Sequence, residues 1–302
     1  MFALSTSWNA WRHTSGKEMV EDILSLGFKK IELNFTVSPE IFDQILSIEE
    51  DGSIQVTSLH NYCPFPSSKK KRVSPDMFSL SSINEEERLW AVKQTLNTFE
   101  SALRIGAKAV VVHLGYIKMR SFTRELVSLF IRGKRNTEKY EKLLGKFKSV
   151  REKKSDQYFS AVCRSLETIL NKIEGSGIGF GIETRFYGNE IPSLEEIGVL
   201  LERFEGSSAG YWHDVGHARV KDVLGIDSED EHLDLYCNKM IGMHFHDVAG
   251  IRDHKVPGTG NVDFSKLAPF MKDDLIKVIE VHPPSTAEDI IRGLSVLERC
   301  KL

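Results

Sequence analysis

The chain has 302 residues, of which 41% are hydrophobic, and a formal net charge of −3, so it can bury a large core as two ordinary domains or as one α/β barrel. The near-neutral charge provides no overall field that would attract nucleic acid or a membrane surface. Four scattered cysteines (Cys63, Cys163, Cys237 and Cys300) without a CxxC pair fit a reducing cytosol and argue against a disulfide scaffold or a cysteine zinc finger.

The first third of the chain alternates short apolar runs with segments of helical period. The N-terminus has neither the basic nor the apolar region of a signal peptide, and no stretch is long and apolar enough to span a membrane. We therefore expect a soluble, cytoplasmic protein with no membrane partner. In the first third of the chain, the alternation of apolar runs and helical periods predicts strands over residues 2–5, 30–34, 54–60 and 109–113. It predicts helices over residues 15–27, 39–48 and 84–106.

Residues 117–155 interrupt this alternation with thirteen Lys and Arg against four Glu. Apolar side chains keep helical spacing in two stretches of the segment, from Phe122 to Leu129 and from Tyr140 to Phe147, which predicts a basic helical hairpin. A solvated helical decoration without a role in function is the alternative interpretation.

The alternation resumes after residue 155 and continues to the C-terminus. Eight strands in strict alternation with about eight helices imply parallel strands joined by right-handed crossovers. The size fits a (β/α)8 TIM barrel, which we predict as a single domain over residues 1–302 with residues 117–155 as a helical insert after strand 4. A doubly wound open sheet is the alternative; no glycine-rich nucleotide motif follows the first strand, so we expect no nucleotide cofactor. The remaining strands are predicted over 178–183, 209–214, 241–247 and 275–280, and the remaining helices over 156–173, 193–204, 229–238, 263–271 and 286–300.

Side chains that can bind a metal stand at the ends of six predicted strands. In a parallel barrel these ends all lie on one face, where active sites are found. Each residue alone has an ordinary structural explanation, but six mixed nitrogen and oxygen donors on one face favour a divalent ion such as Zn, Mn or Co. The six are His60, His113, Glu183, Asp214, His244 and Glu280.

Neighbouring residues extend this candidate site. His217 lies one turn beyond Asp214, whereas His213 points to the opposite side of its strand and is expected to be structural. His246, two residues after His244, should face the lumen as a substrate contact or a second metal's ligand. Asp247 points away and is expected to tie down the following loop.

Asp253 and Arg185 are further candidate substrate contacts, and His254 is a candidate metal ligand. The glycine-containing loop of residues 252–260 offers Asp253 and His254 to the same face. Arg185, two residues after Glu183, could bind an anionic group with two parallel hydrogen bonds. A surface ion pair is the structural alternative for Arg185.

The order of these motifs resembles that of the xylose isomerase-like TIM barrel superfamily, which includes sugar phosphate isomerases/epimerases and endonuclease IV. The resemblance covers essentially the whole chain apart from the basic insert. It is specific for the superfamily and separates its subfamilies poorly. It rests on the motifs Val-Val-His113-Leu-Gly, Gly-Ile-Glu183, Asp214-Val-Gly-His217, Met-His244-Phe-His-Asp247, Pro-Gly258-Thr-Gly260 and Ile-Glu280.

Resemblance to the epimerase branch implies one divalent metal ion and a small sugar or sugar phosphate as substrate. The implied metal ligands are Glu183, Asp214, His244 and Glu280. Of these, Glu183 and Glu280 would also be catalytic, because two carboxylates on opposite sides of a substrate can remove and return its proton.

Resemblance to endonuclease IV implies three zinc ions and cleavage of abasic DNA. The additional ligands would be His60, His113 and His217, with an Asp-x-His motif after strand 7 that would supply His254. This chain departs from that pattern, because Arg252 stands two residues before His254 where the motif has Asp, and because Arg185 replaces a small neutral residue.

The basic elements leave the choice of function open. The run of residues 69–72 and the insert could follow a phosphodiester backbone, form a lid over a sugar phosphate, or contact another subunit of a homo-oligomer. We expect a metal-dependent sugar isomerase or epimerase, with an endonuclease IV-like AP endonuclease as the alternative. Another reaction on the same scaffold, such as dehydration, or a binding protein without catalysis, is a third hypothesis.

Overall fold

The structure of the chain is a computed structural model that describes residues 1–66 and 74–302. The predicted basic run of residues 69–72 lies outside the described residues. Within the described parts of the chain, no helix is long and apolar enough to cross a membrane.

Eight parallel strands close into a barrel in the order β1-β10-β7-β6-β5-β4-β3-β2. This closure confirms the (β/α)8 architecture and excludes the doubly wound open sheet. Two further strands, β8 and β9, form an antiparallel hairpin after β7 that the sequence pattern did not predict. In chain order the strands are β1 (Ala3–Ser5), β2 (Lys30–Leu33), β3 (Gln55–His60), β4 (Ala109–Val112), β5 (Gly179–Glu183), β6 (Ala209–Asp214), β7 (Met240–Phe245), β8 (Asp247–Ala249), β9 (Arg252–Lys255) and β10 (Ile276–Ile279).

All the α-helices of the described residues except the one over Phe122–Ile131 begin after a residue whose side chain caps the first turn. Ser193 and Thr286, for example, each form a reciprocal capping box with the acidic residue three positions later. The segment Phe264–Phe270, predicted as a helix, is a 3-10 helix with Pro269 inside it; proline has no N–H to donate and does not suit an α-helix interior. The α-helices are α1 (Gly16–Ser25), α2 (Pro39–Glu50), α3 (Glu85–Arg104), α4 (Phe122–Ile131), α5 (Glu138–Ile173), α6 (Leu194–Arg203), α7 (Val215–Leu224), α8 (Glu229–Tyr236) and α9 (Ala287–Arg299).

The basic segment folds as α4 and the first half of α5. Helix α5 continues without a break through residue 155 to Ile173, so the prediction of a separate helix over 156–173 is wrong. The physical reason is that neither Gly nor Pro occurs between residues 146 and 173, and nothing else in that stretch would end a helix. The insert and a wall helix of the barrel are therefore one element.

The apolar stripes of the insert are covered within the same chain. Phe122 and Leu126 of α4 and Tyr140 of α5 belong to a buried cluster with Val220 and Leu224 of α7. The Tyr140 hydroxyl also donates a hydrogen bond to the Leu224 carbonyl at 2.9 Å. The stripes consequently need no second subunit to bury them.

Trp212 fills the lower half of the barrel lumen. Its ring packs with Ala3, Val111 and Val278 from other strands, and a Cβ atom on Gly242 would lie only 2.1 Å from it. The upper half of the lumen, at the carboxyl ends of the strands, is left to polar side chains.

Candidate metal centre

Glu183, Asp214, His244 and Glu280 converge at the carboxyl ends of β5, β6, β7 and β10. Each offers one ligand atom, these atoms all lie within 4.8 Å of one another, and all four residues are buried. The Nδ1 atom of His244 is 3.1 Å from Glu183 Oε1, 3.2 Å from Glu280 Oε2 and 3.6 Å from Asp214 Oδ2. The structure thus brings together the four residues predicted as metal ligands.

The chemistry of this donor set fits a divalent cation. Three carboxylates buried around one point repel one another, and such burial is costly unless a positive charge offsets it. One imidazole nitrogen with several carboxylate oxygens suits Zn or Mn. The carboxylates also act on the imidazole ring: burial acts to lower the pKa of His244, but Glu280 and Glu32 raise it well above its ordinary value.

The two glutamates differ in their electrostatic surroundings. Burial acts to raise the pKa of Glu183, but His113, His244 and Arg185 hold it well below its usual range. Burial is also the largest influence on Glu280, and with neighbouring carboxylates it raises that pKa to about 7 despite the opposing effect of His244. The same centre thus lowers the pKa of one glutamate and raises that of the other, and a difference of this kind suits two carboxyl groups with different roles in proton transfer.

His60 and His113 stand on the β3 and β4 side of Glu183, and the three residues form a second candidate ligand group. The Nδ1 atom of His60 lies 3.2 Å from the Asn61 carbonyl, and that of His113 lies 2.8 Å from Asp76 Oδ1. Their Nε2 atoms approach Glu183 Oε2, at 3.9 Å for His60 and 2.7 Å for His113. The structure therefore places both predicted additional ligands next to the first centre.

Arg185 occupies the space beside this second group. Its Nη1 atom donates to Glu183 Oε2 at 2.8 Å and also contacts His113 Nε2, while Nη2 donates to Glu190 Oε1 at 2.7 Å. Asp76 lies 3.7 Å from the same guanidinium, and Arg185 is buried. The surface ion pair considered for Arg185 is thus excluded, and a fixed positive charge stands where a second metal ion would bind between His113 and Glu183.

A third group contains His217, His246 and His254. The Nδ1 atom of His217 faces the Thr184 carbonyl at 2.9 Å. His246 uses both ring nitrogens: Nδ1 accepts the His254 backbone N–H at 2.8 Å, and Nε2 lies 2.9 Å from Asp214 Oδ1. The Nδ1 atom of His246 is therefore occupied by a backbone hydrogen bond, and its Nε2 atom contacts the Asp214 carboxylate and helps to hold it in place.

The ring of His254 lies between two other imidazole rings, with centroids 4.1 Å from His246 and 3.8 Å from His282. His254 has a φ of 49°, in the left-handed region that non-glycine residues rarely adopt. Asp253 Oδ2 lies 3.6 Å from the Nε2 atoms of His217 and His254. Asp253 and His254 thus reach the same face as the strand ends.

A cavity of about 310 Å³ opens above these groups. Phe35, Phe186 and Tyr187 supply apolar wall, and Arg185 and Asp253 are among its polar lining residues, whereas His246 does not line it. A cavity of this size admits a small molecule. A larger surface cavity of about 620 Å³ lies between the ends of α5 and α6 and contains none of the predicted site residues.

A family model, the xylose isomerase-like TIM barrel, matches residues 20–300 of the chain. The chain belongs to the xylose isomerase-like TIM barrel family. No curated protein matches it.

Solved structures share this fold over the whole chain. The 3-keto-D-glucoside 4-epimerase YcjR from E. coli has 15% identity and a TM-score of 0.68, with 99% of both chains covered. D-psicose 3-epimerase from Clostridium cellulolyticum H10, solved with D-tagatose, has 12% identity and a TM-score of 0.68, covering 99% of this chain and 98% of its own. The IolI protein, solved with a zinc atom, has 14% identity and a TM-score of 0.67, covering 99% and 96%. At these identities the likeness is one of fold.

Three residues of this xylose isomerase-like site were not predicted from the sequence. Glu32 was detectable as an acidic residue inside the apolar strand β2. His282 follows Glu280 by two positions, the spacing that returns a side chain to the same side of an extended chain. Asp76 lies in the loop before α3, where no sequence pattern marked it. Glu32 contacts His244, Asp76 contacts His113, and the ring of His282 stacks on that of His254.

Two neighbouring residues lie where the sequence predicted. His213 faces away from the centre, and its Nδ1 atom is 2.7 Å from the Tyr211 hydroxyl. The Asp247 carboxylate accepts backbone N–H groups from the following loop, including those of Gly258 and Gly260 at 2.8 Å. Gly260 is required there, because a Cβ atom would lie 2.4 Å from Asp247 Oδ1.

Proposed function

We propose that the chain is a divalent-metal-dependent isomerase or epimerase acting on a small sugar or sugar phosphate. The observation that carries this proposal is the buried convergence of Glu183, Asp214, His244 and Glu280. The two glutamates come from β5 and β10, which have β6 and β7 between them, so they approach the centre from different sides.

The proposed reaction moves one proton at a carbon next to a carbonyl group. A divalent metal ion held by the four residues would polarise that carbonyl and so acidify the neighbouring C–H bond. One glutamate, as the carboxylate, would remove that proton, and the other, as the carboxylic acid, would deliver its own proton to the opposite face of the same carbon, which gives the epimer. In an isomerisation the proton would be delivered instead to the former carbonyl carbon, while the neighbouring hydroxyl proton moves to the former carbonyl oxygen. The hydrogen bond from Arg185 to Glu183 Oε2 orients that carboxylate and leaves Oε1 directed to the centre.

We propose Arg185 and Asp253, which line the cavity, as substrate contacts, and His246 as a support of Asp214 beneath them. A sugar suits a cavity with several hydrogen-bonding groups and an aromatic wall. The two epimerases of the same fold named above are a 3-keto-D-glucoside epimerase and a D-psicose epimerase, which supports this substrate class.

The proposal is tested by metal analysis and by solvent exchange. Purified protein should contain about one Zn or Mn ion per chain and should incorporate deuterium next to the carbonyl of a ketose in D2O, followed by NMR over a panel of sugars and sugar phosphates. Glu183→Gln and Glu280→Gln should each abolish exchange, and Glu205→Gln, at a surface carboxylate paired with Lys239, should leave it unchanged. Three zinc ions per chain together with nicking of abasic duplex DNA would overturn the proposal.

An endonuclease IV-like phosphodiesterase is the second candidate. It is favoured by three further histidine-containing groups at the centre: His60–His113–Glu183, His217–His246–His254 and His254–Glu280–His282. The guanidinium of Arg185 beside His60–His113–Glu183, and the hydrogen bond that occupies Nδ1 of His246, weigh against extra metal ions in the first two of these groups.

A charge-reversal experiment tests the DNA hypothesis. Lys139, Lys142 and Lys146 are exposed on α5, so their replacement by Glu changes charge without removing packing. If the insert binds DNA, the triple variant should lose affinity for abasic duplex, and the loss should diminish at high salt. Under the isomerase proposal, neither the wild type nor the triple variant binds the duplex, and the two proteins turn over sugar at the same rate.

A further inference from the structure

Glu32 is a buried carboxylate on the opposite side of the lumen from the metal centre. Both of its oxygens lie 3.2 Å from His244 Nε2, and the residue has no exposed surface. Strands β10 and β1 separate its strand, β2, from β7 in the barrel. The contact between Glu32 and His244 therefore spans the lumen.

The two nitrogens of His244 face different carboxylates. Nδ1 faces Glu183, Asp214 and Glu280, whereas Nε2 faces Glu32 alone among the carboxylates of the described residues. A carboxylate accepts hydrogen bonds, so the Nε2 atom satisfies Glu32 by carrying a proton. A neutral ring with its proton on Nε2 has its lone pair on Nδ1, which is the nitrogen directed at the three carboxylates.

The ring has little freedom to exchange its two nitrogens. Trp212 contacts it edge to face with centroids 5.2 Å apart, and His60 stacks parallel to it at 6.1 Å. Glu32 is itself held by the Ser58 hydroxyl, which donates to Oε2 at 2.8 Å. A neutral glutamine would fill the same space without the cost of burying a charge, so packing alone does not explain a carboxylate at this position.

We propose that Glu32 is a positioning residue of the metal centre, which fixes the proton of His244 on Nε2 and so presents Nδ1 to a divalent cation. A histidine ligand commonly donates its second ring N–H to a carboxylate, and this contact orients the ring and raises its basicity as a ligand. The inference rests on the metal centre of the proposed function and adds a fifth residue to it.

The test measures metal affinity on the full-length chain, independently of catalysis. Zn²⁺ binding is measured by competition with a chromophoric chelator for the wild type, Glu32→Leu, Glu32→Gln and Ser58→Ala. Loss of the carboxylate in Glu32→Leu should weaken binding by about 10–100-fold. Glu32→Gln should lose less affinity for Zn²⁺, because its amide oxygen still accepts a hydrogen bond from His244 Nε2. Ser58→Ala should lose the least, because it keeps the contact between Glu32 and His244.

A spectroscopic measurement reports the tautomer directly. In the zinc-loaded protein with ¹⁵N-labelled histidine, the His244 signals, assigned from a His244→Gln variant, should show a protonated Nε2 and a metal-bound Nδ1. Thermal unfolding in EDTA checks that each variant is folded. If Glu32→Leu does not fold, the inference is tested by the Zn²⁺ affinity of Glu32→Gln and by the wild-type spectrum. Wild-type affinity in Glu32→Gln together with zinc on Nε2 of His244 would then overturn it.

Each outcome separates the inference from the proposed function. Wild-type affinity in a folded Glu32→Leu, or zinc on Nε2 of His244, overturns the inference and leaves the function standing. The expected loss of affinity in a protein that exchanges no sugar proton supports the inference and overturns the function. A wild-type chain that binds no divalent metal overturns both.

Discussion

Asp214 has two roles that substitution can separate. Its carboxylate belongs to the proposed metal centre, and its Oδ1 atom also accepts the His217 backbone N–H at 2.7 Å as the N-cap of α7. Asparagine is as good an N-cap as aspartate but carries no charge. The residue can therefore lose its charge while the helix keeps its cap.

We predict that Asp214→Asn weakens Zn²⁺ or Mn²⁺ binding by about 100-fold or more, since removing one charge from a buried ionic cluster costs about 3–5 kcal/mol. Its thermal midpoint in EDTA should fall. Although burial acts to raise the pKa of Asp214, His217 and His246 hold it well below its usual range, so the ionised carboxylate stabilises the fold. Asp214→Ala serves as the control: it should bind metal as poorly and in addition lose about 1 kcal/mol of stability with the cap. Equal metal affinity in the wild type and Asp214→Asn would contradict the assignment of Asp214 as a ligand.

Gly242 is predicted to be intolerant of any side chain. A Cβ atom there would overlap the Trp212 ring at 2.1 Å, so Gly242→Ala should lower the free energy of unfolding by about 1–3 kcal/mol or more. Gly145 of α5 is the matched control, because its Cβ would meet nothing within 4 Å. Gly145→Ala should stabilise the protein by up to about 1 kcal/mol. Urea unfolding of both variants measures the two effects, and equal destabilisation would show that the lumen packing is not as described.

At the scale of elements, the α4–α5 insert supports the loop that follows β5. Arg151 of α5 donates to the Gly188 carbonyl at 2.8 Å and the Glu190 carbonyl at 3.1 Å, and pairs with Glu196 at 2.7 Å. A Cβ on Gly188 would lie 2.4 Å from the Phe147 ring. The insert therefore packs against the segment that carries Arg185 and Glu190 and supports it.

Replacement of Arg151 by Met should loosen this loop without affecting the metal ligands. We expect a loss of about 2 kcal/mol of stability from the charged hydrogen bonds, and faster hydrogen exchange at residues 186–190. Metal affinity should stay within a few-fold of the wild type. Lys154→Met removes an exposed lysine of the same helix, whose only described bond is to the Lys118 carbonyl at 3.3 Å, and should change neither quantity. Unchanged exchange in Arg151→Met would refute the supporting role of the insert.

A buried ion pair joins helix α7 to the connection that leads to α8. Lys221 Nζ lies 2.8 Å from Asp227 Oδ2, and both side chains are largely buried. Burial acts to raise the pKa of Asp227, but Lys221 and His232 hold it below its ordinary value. Because the pKa is lower in the folded than in the unfolded state, the ionised carboxylate stabilises the fold most at pH values above the unfolded pKa of about 3.9.

We predict that Asp227→Asn costs about 3–5 kcal/mol at neutral pH, because it leaves the Lys221 ammonium buried without its partner. The difference from the wild type should stay constant down to about pH 5 and shrink as the pH falls below about 4. Asp222→Asn, at a partly exposed pair with Arg219 at 3.3 Å, should cost no more than about 1 kcal/mol. Urea unfolding from pH 7 to pH 3 measures both, and a difference for Asp227→Asn that does not depend on pH would exclude this ionic explanation.

For the molecule as a whole, the proposed metal ion is also a source of stability. Any ligand that binds only the folded state raises the free energy of unfolding, by about 2.7 kcal/mol at a hundredfold excess over its Kd. Addition of Zn²⁺ or Mn²⁺ to protein treated with EDTA should therefore raise the thermal midpoint by several degrees. The increase should be absent in Asp214→Asn, and a wild-type midpoint that does not respond to either metal would exclude a metal centre.

The barrel and most of its site could be predicted because both depend on local patterns. Alternation of apolar strands and periodic helices identifies a parallel barrel, and a parallel barrel places every strand end on one face. His60, Glu183 and Asp214, which are far apart in the chain, become neighbours by that argument alone. That they bind a metal ion stays a prediction, as do the number of ions and the roles of the proposed substrate contacts.

The remaining features depend on contacts that the sequence does not encode locally. Glu32 reaches His244 across the lumen, a contact between strands that are neighbours neither in the chain nor in the sheet. Arg185 was identified as a candidate, but its enclosure by carboxylates depends on Asp76 and Glu190 in two separate loops. The prediction that a new helix starts at residue 156 was wrong. The composition of the chain changes near residue 155, but its helical propensity does not.

The unbroken course of α5 has a consequence for protein engineering. A helix of 36 residues is about 54 Å long at 1.5 Å per residue, and its two halves belong to the insert and to the barrel wall. The insert therefore has no excision point at its C-terminal end, and grafting it onto another barrel would require transplanting the wall helix with it. A chimera that exchanges the complete segment from α4 to the end of α5 should fold, whereas one joined at residue 155 would place its junction in the middle of a helix.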